Sequence, residues 1–129
     1  MVAQLNHTIV AARDKHESAA FLEEILGLPA PQSFGQFVLV TTGNDVSLDF
    51  ADTEGDITAQ HYAFLIGEDE FDEVFSRVQE RGITFWPNPW RGNEGTINHN
   101  DGGHGFYFED PSGQHLQEMA ARVDRKSVV

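Results

Sequence analysis

The chain has 129 residues, 40% of them apolar, and no cysteine; that length suits one domain with a proper core, and it leaves no disulfide framework, thiolate metal site or thiol nucleophile. The formal charge of −13, from 21 acidic and 8 basic residues, opposes binding to nucleic acid or to anionic membrane, because both rest on basic contacts to phosphate. No apolar run reaches the about 18 residues of a membrane helix, and MVAQLNHTIV lacks the basic region, apolar core and cleavage site of a secretory signal, so a cytoplasmic protein is expected.

Residues 4–11 are apolar and β-branched, with Leu5, His7 and Ile9 on one face of a strand. Asp14 begins a helix, with Glu17 completing a capping box, and Ala20, Phe21 and Ile25 supply its apolar stripe. Gly27 is a left-handed stop, and Pro29 and Pro31 prevent continuation. A weak strand signal near 30–32 precedes two stronger ones at 36–42 and 46–50, joined by a tight Gly43-Asn44 hairpin. Residues 52–59 are a polar linker.

The pattern then restarts. HYAFLIG, from His61, is a strand, and residues 69–81 are a helix with Phe71, Val74, Phe75 and Val78 on one face. Ile83–Trp86 is a strand. Residues 87–104 form a polar loop rich in Gly, Asn and Pro. Strands at 105–109 and 114–120 flank the turn Asp110-Pro111-Ser112-Gly113, and a charged tail follows from 121. His7 to Gly27 spans 20 residues and His61 to Gly82 spans 21, so the halves 4–51 and 60–120 read as a repeat. The expected fold is α+β: paired βαβββ modules forming an open cup-shaped mixed sheet with helices outside, in a single domain.

A histidine inside an apolar strand needs a partner, since burying imidazole without one costs about 1–3 kcal/mol. Two at matching repeat positions point to a shared role. Two imidazoles and a carboxylate make an open facial site for a divalent metal, where substrate oxygens bind and an oxyanion or enolate is stabilised.

LNHTIVAARD, HYAFLIGEDEFDEVFSRVQERGITFW and GFYFEDPSGQHLQEM resemble the vicinal oxygen chelate superfamily, which includes glyoxalase I, extradiol dioxygenases, methylmalonyl-CoA epimerase, and the fosfomycin and bleomycin resistance proteins. The second half is most similar to the fosfomycin-resistance type. The resemblance implies a homodimer, a small-molecule substrate with adjacent oxygens, and a divalent ion (zinc, nickel, manganese or iron) on His7, His61 and a last-strand glutamate. The family places that glutamate four residues after the turn glycine, where this chain has Gln117; Glu118 is one later. Simple alternation puts Gln117 at the site, whereas a bulge would turn Glu118 inward.

Asp49 shares a face with Ser47 and is either a further ligand or general base, or a polar strand end. The loop at 87–104 is either a substrate lid, with Trp90, Arg91, His99 and His104 as binding residues, or a solvated connection or dimer contact. His115, beside the turn, is expected at the surface. Two functions remain: a metal-dependent lyase, isomerase, epimerase or dioxygenase, with Asp49 and Glu118 as catalytic carboxylates, or a metal-free protein that sequesters a small molecule such as an antibiotic.

Overall fold

The computed structural model describes residues 2–121. Of the expected tail from 121, Ala121 instead ends a strand, and 122–129 lie outside the described residues. The fold is α+β, and the chain divides into two compact units, up to Thr58 and from Ala59.

The first unit runs β1 (His7–Ala12), α1 (Lys15–Leu26), β2 (Gln32–Phe34), β3 (Phe37–Thr41) and β4 (Ser47–Asp52). Its sheet has the order β1-β4-β3-β2, with β1 and β4 parallel and the other pairs antiparallel. Alternation decides the core. Val10, Ala12, Val38, Val40, Leu48 and Phe50 are buried, while Ile9 on the other face of β1 is 59% exposed. The Asp14 carboxylate caps α1 by accepting the His16 and Glu17 N–H groups, and Gly27, at φ +68°, ends it.

Two readings shift here. The buried stripe of α1 is Ser18, Ala19, Leu22 and Ile25, one residue round from the expected Ala20 and Phe21. The β3–β4 hairpin is not a two-residue Gly43-Asn44 turn: Asp45 takes the left-handed φ of +63°, and the loop closes through the Thr42 N–H on the Val46 carbonyl and the Asp45 N–H on Thr42. A short polar residue tolerates that conformation, so the extra position is accommodated as a bulge.

The second unit contains β5 (His61–Leu65), α2 (Glu68–Glu80), β6 (His104–Glu109) and β7 (Leu116–Ala121), in sheet order β5-β7-β6. β5 and β7 are parallel, and β6 and β7 antiparallel. Phe71, Val74 and Val78 of α2 are buried, and the Phe71 ring meets Phe106 edge-on at 5.4 Å. That contact places Phe106, and by alternation His104 and Phe108, on the helix side of the sheet.

The expected strand at 83–86 shrinks to one bridge, Trp86 with Tyr107. The turn at Pro87 halts the ladder. The loop after it is hydrogen-bonded: Asn88 exchanges two bonds with Gly92, Asn98 donates to the Pro87 carbonyl, and Asn98 pairs with Gly105. Among the described residues no helix is long and apolar enough to cross a membrane.

Candidate functional site

Ladder register decides which side chains share a face, because residues paired across a ladder point the same way. His61 pairs with Leu116, Tyr62 with Gln117 and Ala63 with Glu118. Glu118 therefore shares the His61 face, and Gln117 lies on the side covered by α2. His61 Nε2 lies 2.9 Å from Glu118 Oε1, and the Glu118 side chain is only 8% exposed. This corrects the alignment of Gln117 with His61. The last strand begins at Leu116 rather than 114, and no bulge is needed. Gln114 and His115 are spent in the connection, where the Asp110 N–H donates to the His115 carbonyl. The count from Gly113 therefore does not run along one extended strand. Gln117 is buried, and its Oε1 has no hydrogen-bond partner among the described residues.

Ala63, Glu118, Tyr107 and Trp86 form one row across the sheet. The Tyr107 ring meets the His61 imidazole at 5.6 Å. Arg91, beyond Trp86, holds its guanidinium 5.6 Å from the Trp86 ring centroid and donates to Glu109 Oε2 at 3.1 and 3.2 Å. Its backbone takes a left-handed φ of +63°, a conformation costly for a long side chain and concentrated at functional sites. Trp90 is 77% exposed.

His99 and His104 do not join this face. His104 Nε2 lies 2.6 Å from Glu68 Oε2, without hydrogen-bond alignment. Its ring lies 4.2 Å from that of Phe71 and 6.4 Å from that of His99. The expected binding set thus splits: Arg91 lies by Trp86 and Glu109 with its neighbour Trp90 exposed, and the two histidines gather near the start of α2.

In the first unit His7 is exposed, with Nδ1 2.7 Å from Asn6 Oδ1. An amide oxygen accepts, so Nδ1 is the donor in this contact. Asp49 shares the His7 face through the pairs His7–Ser47 and Ile9–Asp49, and it accepts the Ser47 hydroxyl at 2.6 Å. The two units match closely. Asp49 stands two residues after Ser47, the partner of His7; Glu118 stands two residues after Leu116, the partner of His61. Each unit thus pairs a first-strand histidine with a carboxylate on the parallel neighbouring strand.

His115 is 1% exposed, not a surface residue. Near it, burial, then the Asp110 carboxylate, raise the Tyr62 phenol above its ordinary 10.0. Sequence reading missed Tyr107, Trp86 and Glu109 as companions of His61. The only signal was the alternation of β6 set against an unknown register.

A profile of the Glyoxalase/Bleomycin resistance protein/Dioxygenase superfamily matches residues 4–117. The chain belongs to that superfamily. It is 54% identical to a protein of solved structure called oxidase ChaP-H2, over 97% of this chain and 98% of that one, with a TM-score of 0.92. Oxidase ChaP-H1 is 52% identical over 95% and 98%, with a TM-score of 0.91. Among curated proteins, the glutathione transferase FosA of Serratia marcescens is 29% identical over 95% of this chain and 87% of that protein. The fosfomycin resistance protein FosX of Mesorhizobium loti, 20% identical over the whole of both chains with a TM-score of 0.72, shares the fold.

The superfamily's metal chemistry can be tested against the residues present. Imidazole nitrogen and carboxylate oxygen suit borderline divalent ions, and a carboxylate as enclosed as Glu118 needs positive charge beside it. His61 and Glu118 fit as two ligands. Among the described residues no three His, Cys, Asp or Glu side chains form a complete cluster.

Proposed function

We propose that this superfamily member is a metal-dependent enzyme of the oxidase kind, acting on a small molecule that carries adjacent oxygens. The His61–Glu118 pair carries the reading, and the 54% identity to an oxidase over nearly the whole chain supports it. His61 and Glu118 would hold the divalent ion (zinc, nickel, manganese or iron), with His7 the further donor that family resemblance assigns. When bound, the ion supplies Lewis acidity toward substrate oxygens and, for iron or manganese, redox chemistry. The residues do the rest. His61 is steadied by the Tyr107 ring edge. Asp49, which accepts the Ser47 hydroxyl, is the further carboxylate that family resemblance offers as ligand or general base. Arg91 pairs with an acidic substrate oxygen by leaving Glu109, and Trp90 offers an exposed apolar wall. His99 and His104 are left out, because they gather at α2.

The test is metal content of protein prepared without chelators. Stoichiometric metal, lost in His61→Ala and Glu118→Ala, supports the enzyme; a matching loss in His7→Ala supports the third donor. No metal after reconstitution with zinc, nickel, manganese and ferrous iron rejects it. It then favours the second reading, a metal-free small-molecule binder, for which the observation is that His61 and Glu118 already satisfy one another. The superfamily resemblance also implies a homodimer, and sedimentation of the purified protein checks that proposal.

A further inference from the structure

We infer that His115 is a positioning residue for the His61–Glu118 pair: a buried neutral imidazole whose Nδ1 fixes where β5 begins. The inference rests on the functional reading above for its consequence, but not for its geometry. His115 Nδ1 accepts the Gln60 N–H at 3.1 Å. The Leu116 N–H donates to the Gln60 carbonyl at 2.9 Å. Two successive residues at the head of β7 thus hold both backbone groups of the residue that precedes His61. The same two residues lead, three and two positions on, to Glu118.

His115 is itself held. Its N–H donates to Asp110 Oδ1 at 2.9 Å, and its carbonyl accepts the Asp110 N–H at 3.0 Å. Asp110 Oδ2 accepts the Ser112 hydroxyl at 2.6 Å. The Tyr62 ring meets the imidazole edge-on at 5.6 Å. A nitrogen that accepts an amide hydrogen carries none of its own, so the ring is the Nε2–H tautomer.

The strand that gains this anchor is the one that needs it. Among the described residues β5 is an edge of its sheet, with β7 as its neighbour. Edge strands fray first, and a one-residue slip would turn His61 away from Glu118. The first unit lacks the device. Ser47 donates to the Asn6 carbonyl as Leu116 does to Gln60, but the residue before Ser47 is Val46, which has no side-chain acceptor.

The experiment compares wild type, His115→Asn and His115→Phe. Asparagine carries an amide oxygen close to the place of Nδ1; phenylalanine keeps a ring without an acceptor. In wild type, nitrogen NMR should show His115 Nδ1 unprotonated and hydrogen-bonded. Amide exchange at Gln60 should be slow in wild type and His115→Asn, and about tenfold faster or more in His115→Phe, with β6 unchanged. Affinity for manganese alone should fall about tenfold in His115→Phe and recover in His115→Asn. A proton on Nδ1, or Gln60 exchange in His115→Phe as slow as in wild type, overturns the inference. If wild type takes up no metal, the enzyme reading fails while tautomer and exchange still decide the anchor. If His115→Phe does not fold, the wild-type tautomer and the Asn variant decide it.

Discussion

Glu118 and Gln117 are both buried neighbours on one strand, yet only Glu118 meets His61. Their chemistry separates accordingly. Glu118→Gln keeps the shape but removes the charge that a divalent ion needs, and it should weaken metal binding at least about tenfold by calorimetric titration. Gln117→Ala should leave that affinity within about twofold, since its amide lies on the helix side. Tyr62 allows a prediction on pH. Its phenol is raised above 10.0 by burial, then by Asp110, so the fold favours the neutral form. The contribution is fully present below pH 10 and is lost as pH climbs through the raised value. Denaturation at about pH 9 and at rising pH above 10 should show stability falling in wild type and less so in Tyr62→Phe.

At the scale of elements, patterning was enough where one face is buried and failed where a ladder or turn decides. The apolar spacing of α2 and the Gly27 stop were legible because a helix and its cap are local. The β7 register was not, because residues 110–115 close in backbone hydrogen bonds before the strand begins at Leu116, which no count along the chain displays. The reduction of 83–86 to a bridge has a similar cause: one backbone pairing with Tyr107 is all the following turn permits. Gly105 shows how close this packing is. A Cβ there would meet the Met119 carbonyl oxygen at 2.8 Å and the Asn98 amide at 3.4 Å. Gly105→Ala should destabilise the fold by about 1–3 kcal/mol in urea titration and loosen the loop that Asn98 pins. Leu22→Ala, on the buried face of α1, should cost about 2–5 kcal/mol in the same measurement.

At the scale of the whole molecule, the two units repeat one placement of chemistry. Each unit carries its histidine at the start of the first strand and its carboxylate at the same offset on the parallel partner. If the proposed ion binds only the folded chain, manganese at about 100 times its dissociation constant adds about 2.7 kcal/mol. Calorimetry should then show a Tm rise of roughly 10 °C, absent in His61→Ala. A rise that survives in His61→Ala would place the ion elsewhere. By itself the sequence determined the α+β class, the buried face of α2 and a histidine opening a strand in each unit, because periodicity and capping are written along the chain. Only the tertiary structure decided that Glu118 rather than Gln117 meets His61, that His104 packs against α2, and that His115 is buried. Each of those depends on strand register and loop closure, where one residue of offset reverses the face a side chain presents.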